Sequence, residues 1–267
     1  MQASSERAPA WTPSVKGRRC VLQWLPGAAV LYFAGAPRPR SAQTNKILPD
    51  ATCVLIVVDV QNCFITGALA VPHGAEVVAV INKIAPAFEN VVLTQDWHPR
   101  GHASFASTHP GRKPFETIKL PYGDQVLWPD HCVQGTPDAA LDKDLDIPQA
   151  ELIVRKGFHR DVDSYSAFEE ANRTTGTGLR GYLQERGITR VFVSGLATDF
   201  CVAWTALDAR QSAFETYVIE DACRGIDLEG SIDGAWRQMR ARGVRRIQSS
   251  DIELGFIPRG SNPPPIL

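Results

Sequence analysis

The sequence predicts an α/β domain built on a parallel sheet that is covered on both faces. Two observations carry that expectation: short apolar runs rich in β-branched residues recur along the chain, and segments with helical spacing lie between them. A third observation locates the chemistry. Asp59, Asp96, Lys156 and Cys201 each stand just past the carboxyl end of an expected strand, the edge at which open parallel sheets bind their ligands.

The elements follow in order. Cys53–Val58 is a wholly apolar run ending at Asp59. Residues 75–88 have helical spacing, and a second strand, Asn90–Thr94, leads to Asp96. A polar, proline-rich excursion over residues 97–150 precedes a third strand, Glu151–Arg155, which runs into Lys156. Leu179–Arg186 is expected to be helical and to stop at Gly187. The next strand, Val191–Leu196, is followed by the turn Ala197-Thr198-Asp199-Phe200 and a helical pattern over 201–209. Thr216–Glu220 reads as a strand, residues 230–242 as a helix ending at Gly243, and 244–248 as a last short strand.

The Cys201 turn is the candidate nucleophile. With Thr198 or Asp199 as N-cap, Cys201 falls in the first helical turn. The dipole and free N–H groups there are expected to lower the thiol pKa below its free value of about 8.5 and to hold an oxyanion. The competing expectation is a buried structural cysteine. Asp96-Trp97-His98-Pro99-Arg100-Gly101-His102 places a carboxylate and two imidazoles in one loop, and His131 offers a third imidazole. Such donors suit Zn, Fe or Mn; the bland alternative is a pair of exposed loop histidines. His73, His109 and His159 receive no role.

Composition excludes several classes. The 267 residues carry a formal net charge of -1, so no basic surface points to nucleic acid. The six cysteines lack CxxC spacing, and Cys63 and Cys132 are read as thiols on separate loops. No apolar run reaches the roughly 18 residues of a membrane span, because Pro26 and Gly27 interrupt the best one.

Residues 1–46 form a distinct leader, 47–258 the domain, and 259–267 a tail. The leader is polar and basic to Lys16-Gly17-Arg18-Arg19, apolar from Cys20 to Ala36, and then reads Pro37-Arg38-Pro39-Arg40-Ser41-Ala42. That order matches an export signal, and the Arg18-Arg19 pair resembles a twin-arginine leader cleaved after Ala36 or Ala42. It predicts a periplasmic protein. The alternative is a cytoplasmic protein whose leader lacks fixed structure or reflects an upstream start.

The motifs taken together resemble the nicotinamidase/pyrazinamidase branch of the isochorismatase-like cysteine hydrolases. The carriers are Val58-Asp59-Val60-Gln61-Asn62, Gln95-Asp96-Trp97-His98-Pro99 with His102 and Ser104-Phe105, Trp128-Pro129-Asp130-His131-Cys132, Arg155-Lys156-Gly157, Asp163-Ser164-Tyr165-Ser166-Ala167-Phe168, Gly195-Leu196-Ala197-Thr198-Asp199-Phe200-Cys201-Val202 and Asp221-Ala222-Cys223-Arg224. The resemblance implies a Rossmann-like three-layer α/β/α sandwich with a six-stranded parallel sheet. It implies a Cys201–Asp59–Lys156 triad and one divalent metal ion (Zn, Fe or Mn) on Asp96, His98, His102 and His131. It further implies a cis peptide between Leu196 and Ala197, an oxyanion hole from the Ala197 and Cys201 amides, and a ring-binding set of Phe64, Trp128 and Tyr165. The implied reaction is metal-dependent hydrolysis of nicotinamide to nicotinate and ammonia through a thioester, in NAD salvage, with pyrazinamide as a second substrate.

The implied partner is the small molecule, with no nucleic acid and no stable membrane insertion; a homo-oligomer is compatible with the sequence. Two rival readings are a related hydrolase acting on another amide, a carbamoyl or a vinyl-ether substrate, and a catalytically silent binding protein. The Asp-x-His-x3-His loop argues against the metal-free hydrolases. The retained cysteine and lysine argue against the silent protein. One departure stands out. Cys63 occupies the place where the family carries aspartate after Gln-Asn, and it is expected to alter the surroundings of the site or to add a redox-sensitive thiol.

Overall fold

The computed structural model describes residues 46–255. The leader, apart from Lys46, and the tail lie outside the described residues. Eight strands form among the described residues, six of them in one sheet: β1 (Cys53–Val58), β2 (Asn90–Asp96), β5 (Leu152–Lys156), β6 (Arg190–Leu196), β7 (Glu215–Arg224) and β8 (Arg245–Ile247). Their spatial order is β5-β2-β1-β6-β7-β8, with every neighbouring pair parallel. The expected six-stranded parallel sheet is therefore the observed one.

Both faces of the central strands β1, β2 and β6 are covered, as their continuous apolar runs require, whereas the edge strands β5 and β8 leave residues exposed. Successive side chains of a strand point to opposite faces, yet every residue of β1 is at most 1 % exposed. Full burial of one such Val, Leu or Ile side chain stabilises by about 1.5–3 kcal/mol. Helices supply the cover. In α2 (Glu76–Ile84), Val77, Val78, Ile81 and Ile84 form the buried stripe, and this helix packs on β6 and β7. Between it and β1 lies a single turn, α1 (Asn62–Ile65). Leu179 and Leu183 anchor α3 (Leu179–Glu185). α4 (Ala203–Gln211) packs on β6 and β7, and α5 (Ser231–Ala241) packs on α4 with Ala235, Trp236 and Met239 turned inward.

Two local differences from the sequence expectation bear on the site. The helical pattern at 201–209 begins with a π-helical turn, Thr198–Val202, before α4 proper; such turns often mark functional sites. Neither Thr198 nor Asp199 caps it by a side-chain hydrogen bond. The Asp199 carboxylate instead accepts from Ile226 N–H (3.0 Å), Asp227 N–H (2.8 Å) and the Ser231 hydroxyl (2.5 Å), tying the turn to the start of α5. The excursion after β2 contains an unforeseen antiparallel hairpin, β3 (Thr117–Leu120) and β4 (Gly123–Val126).

The strand order positions the site. From β1 the chain moves outward to β2 and β5, then returns to the other side of β1 as β6. The reversal opens a crevice between the carboxyl ends of β1 and β6, the switch point where such sheets take ligands. β6 runs unusually close to β1 there. Gly195 has φ 109°, and a Cβ at that position would collide with the Val58 carbonyl oxygen.

Candidate active site

Register places the first charges. Asp96 and Lys156 are direct neighbours across β2 and β5, and the Lys156 ammonium lies 2.5 Å from Asp96 Oδ1. The same Nζ is 2.7 Å from Asp59 Oδ2, just past β1. It also donates to the Ser164 carbonyl at 3.1 Å and stands 3.4 Å from Cys201 Sγ. Lys156 and Asp59 are both fully buried, so the ammonium bridges two carboxylates and the thiol in a dry environment. Four residues distant in sequence thus meet at one point, as their places at strand ends predicted.

Asp59 is held asymmetrically. Its Oδ1 accepts a very short hydrogen bond from the Thr94 hydroxyl. Its Oδ2 contacts the ammonium as an ion pair without hydrogen-bond geometry, and has no other partner among the described residues. Burial pushes the Asp59 pKa up, and nearby Asp96 adds to the effect against the pull of Lys156. Burial would raise Asp96 too, but Lys156 and the His98 and His131 imidazoles hold it well below the usual carboxylate range.

The expected lowering of the Cys201 pKa is overturned. Burial pushes the thiol well above its ordinary value, and Asp59 and Asp96 add to the rise, which Lys156 only partly offsets. The dipole argument assumed a solvated helix end facing no anions; Cys201 is 4 % exposed and shares its site with two carboxylates. The resting group is therefore a thiol beside a carboxylate of raised proton affinity. The Leu196–Ala197 peptide is cis, and Ala197 and Cys201 both line the pocket.

The metal-ligand candidates divide. One ligand atom each from Asp96, His98 and His131 lies within 4.8 Å of the others. The His98 Nδ1–H donates to the Gly157 carbonyl at 2.9 Å and the His131 Nδ1–H to the Pro129 carbonyl at 2.8 Å. Both rings therefore turn Nε2 toward Asp96 Oδ2, at 3.5 and 3.7 Å; a carbonyl on the far ring nitrogen orients a histidine ligand in this way. Gly157 makes room for His98, since a Cβ there would sit 2.5 Å from its ring. The three donors, one carboxylate oxygen and two imidazole nitrogens, fit a metal ion.

His102 is not brought into that group. It stacks on His98 at 4.2 Å, and its nitrogens are engaged by the Ser104 hydroxyl (2.7 Å) and the Val162 carbonyl (3.1 Å). Burial, with the neighbouring His98, pushes its pKa down to about 4. A second grouping joins it with His98 and Asp163.

Phe64, Trp128 and Tyr165 all line the pocket above Cys201, as expected. Phe64 meets the edge of His131 at 5.6 Å. Sequence reasoning missed Leu69, Phe200 and Ile226, which complete the lining. Phe200 lies within the quoted Cys201 motif and packs on Trp128 at 4.8 Å, so adjacency could have found it. It also missed Gln125 on β4, which donates to Tyr165 Oη (3.1 Å) and Asp163 Oδ2 (2.8 Å). Trp128 Nε1–H donates to the same hydroxyl at 3.0 Å. The reading of Cys63 and Cys132 as separate thiols is corrected: the two are joined as a disulfide.

Comparison with known proteins identifies the family. The family model described as the isochorismatase domain matches residues 53–251. A nicotinamidase of Acinetobacter baylyi is 59 % identical over 201 residues, covering 75 % of this chain and 94 % of that one. A solved nicotinamidase/pyrazinamidase of Acinetobacter baumanii superposes with a TM-score of 0.75 at 62 % identity, covering 76 % and 98 % of the two chains. The pyrazinamidase of Pyrococcus horikoshii, solved in complex with zinc, gives 0.61 at 36 % identity, covering 74 % and 99 %.

Proposed function

The chain belongs to the isochorismatase-domain family, and from that premise we propose how its site hydrolyses nicotinamide to nicotinate and ammonia in NAD salvage. The observation that carries the reading is the meeting of Cys201, Asp59 and Lys156, with Cys201 lining one pocket together with Phe64, Trp128 and Tyr165, and with Asp96, His98 and His131 grouped beside them.

The pyridine ring enters between Phe64, Trp128 and Tyr165, with its carboxamide over Cys201. Asp59 Oδ2 takes the thiol proton as Sγ attacks the carbonyl carbon, and the amides of Ala197 and Cys201 receive the oxyanion. Asp59 returns the proton to the departing ammonia, leaving a thioester. A water gives one proton to Asp59 and attacks that thioester; the thiolate leaves and recovers that proton from Asp59, and the released acid ionises to nicotinate by giving its proton to ammonia or bulk water. Lys156 makes the sequence affordable by keeping a carboxylate and a sulfur anion together in a dry site. A metal ion on Asp96, His98 and His131 would supply a Lewis-acid anchor for the pyridine nitrogen and so fix the ring. We assign zinc to it, with iron and manganese compatible with the same donors, and pyrazinamide as a second substrate because it keeps both the ring nitrogen and the carboxamide.

The direct test is ammonia release by the purified protein from nicotinamide, with pyrazinamide and a carbamoyl substrate alongside. Turnover of the first two and none of the third is expected; the reverse would move the chain to another branch.

We also propose export to the periplasm. Support comes from the Arg18-Arg19 pair before an apolar stretch, and from the Cys63–Cys132 disulfide, since such bonds persist in oxidising compartments. N-terminal sequencing of the protein from its native host tests it. An intact terminus on a cytosolic protein would reject the proposal.

A further inference from the structure

The disulfide sits at the junction of two functional segments. Cys63 precedes Phe64 in α1, and Cys132 follows His131. Both cysteines are fully buried. Cys132 is also a node of backbone contacts: its N–H donates to Asp138 Oδ2 at 2.9 Å, and its carbonyl accepts from His98 N–H at 3.0 Å. It adopts φ 46°, a left-handed conformation uncommon outside glycine. One residue thus sets the course of the chain at His131, holds the backbone of His98, and is bonded covalently to the neighbour of Phe64.

A separate seam keeps α1 in place without the crosslink. Asn62 N–H donates to the Ala140 carbonyl at 3.0 Å and its side-chain amide to Pro137 at 2.9 Å, while the Gln61 amide donates to Ala139 at 2.8 Å. These bonds grip the 137–140 end of the excursion. They reach the neighbour of His131 only indirectly, through the Cys132 N–H on Asp138 Oδ2, whereas the sulfur bridge and the Phe64 ring edge tie His131 toward α1 directly.

We propose that the Cys63–Cys132 disulfide is a positioning crosslink for this hydrolase: it holds His131, the backbone of His98 and Phe64 as one wall before metal or substrate binds. The inference rests on the amide-hydrolase reading for its substrate arm. Reductive opening by a dithiol slackens the wall and leaves the fold and the Cys201 chemistry standing. In that exchange a thiolate of the dithiol attacks one cysteine sulfur, forming a mixed disulfide and releasing the other cysteine as a thiolate that takes up a proton. The second thiol of the reagent then displaces the remaining cysteine, so two electrons pass to the protein pair and the reagent leaves as its own disulfide.

The test compares the full chain with the Cys63→Ser/Cys132→Ser variant, and with wild-type protein reduced by dithiothreitol and freed of reagent under argon. Peptide mapping first establishes the linkage; finding Cys63 and Cys132 as free thiols in air-purified protein would overturn the proposal. Metal-stripped samples are then titrated with zinc against a chromophoric chelator, KM and kcat for nicotinamide are measured, and Cys201 alkylation by iodoacetamide is timed. Opening the bridge is expected to weaken zinc binding about tenfold and to raise KM several-fold. The kcat at saturating zinc and the alkylation rate should stay within about twofold. A lower melting temperature with unchanged zinc affinity and KM would show a merely structural bond and overturn the inference. If the variant does not fold, the reduced wild type decides. If wild-type protein leaves nicotinamide intact, the substrate reading fails and the zinc titration still judges the crosslink.

Discussion

The pocket has two walls of different manufacture. Asp59, Asp96, Lys156 and Cys201 stand at or just beyond the ends of four strands, and parallel register alone brings Asp96 beside Lys156. The other wall comes from the excursion between β2 and β5, together with α1. There Trp128, His131 and Phe64 are placed by individual hydrogen bonds, ring contacts and one sulfur bridge. In the proposed reaction the sheet edge carries the groups that make and break bonds, and α1, the excursion and the segment after β5 contribute Phe64, Trp128 and Tyr165 to hold the ring. On that reading a rigid scaffold fixes the reaction, while connecting segments shape what is bound.

Substitutions can break that division, and the largest effect is expected at the sheet edge. Cys201→Ala should lower turnover by more than about ten-thousand-fold, with metal content and circular dichroism unchanged. Activity within tenfold of wild type would mean that another group attacks the carbonyl.

Lys156→Met should also abolish measurable turnover, and it should cost stability. It leaves two buried carboxylates without their counter-charge, and breaking a buried pair in this way destabilises by about 3–5 kcal/mol. Urea unfolding measures the loss. A variant as stable as wild type would show that the ammonium is dispensable to the fold.

On the excursion side, His98→Ala or chelation should depress nicotinamide hydrolysis by about a hundredfold through loss of positioning. Iodoacetamide should still modify Cys201 at an undiminished rate. Parallel loss of alkylation would dissolve the distinction between the walls.

The smallest effect lies far from both. Hydrogen bonds from the Thr52 hydroxyl and amide, with a weaker pull from Arg190, lower the Asp50 pKa from 3.8 to about 2. A lowered carboxyl stabilises the fold fully above its unfolded pKa and loses that contribution as pH falls toward the folded one. The side chain is 57 % exposed, so solvent screening limits Asp50→Ala to less than about 1 kcal/mol. Melting curves should separate the two proteins at pH 7 and converge as the pH drops from about 4 toward 2. A gap that persists at the acid end would contradict the assignment.

The same contrast explains what could be read from the sequence. Strand-end residues were legible because burial on both faces writes itself as unbroken apolar runs, and the run ends point at Asp59, Asp96, Lys156 and Cys201. Helices α2 to α5 were legible to within a few residues from their helical spacing, and the single turn α1 was not. Nor was the β3–β4 hairpin: Thr117-Ile118-Lys119-Leu120 in β3 alternates in sequence and in burial, but over four residues only, and β4, Gly123-Asp124-Gln125-Val126, is mostly polar although half-buried. Cys63 and Cys132 lie 69 residues apart, and spacing cannot pair two cysteines across an irregular excursion. His102 shares a loop with two metal-ligand candidates, yet the Val162 carbonyl and Ser104 hydroxyl turn it aside. The direction of the Cys201 pKa was misread because a dipole is visible in a local pattern, whereas two carboxylates arriving from other strands are not.

The burial of the triad has a consequence for the proton inventory of the reaction. In the proposed reaction, with Asp59 and Lys156 fully buried and Cys201 nearly so, the proton that leaves sulfur passes to Asp59 Oδ2 rather than to bulk water. The summed charge of thiol, carboxylate and ammonium is the same before and after that transfer. Attack on the amide then needs no acid or base from bulk water until ammonia carries the proton out. The turnover rate should accordingly be indifferent to buffer concentration at fixed pH, and the site would work as a closed proton account, opened once per cycle.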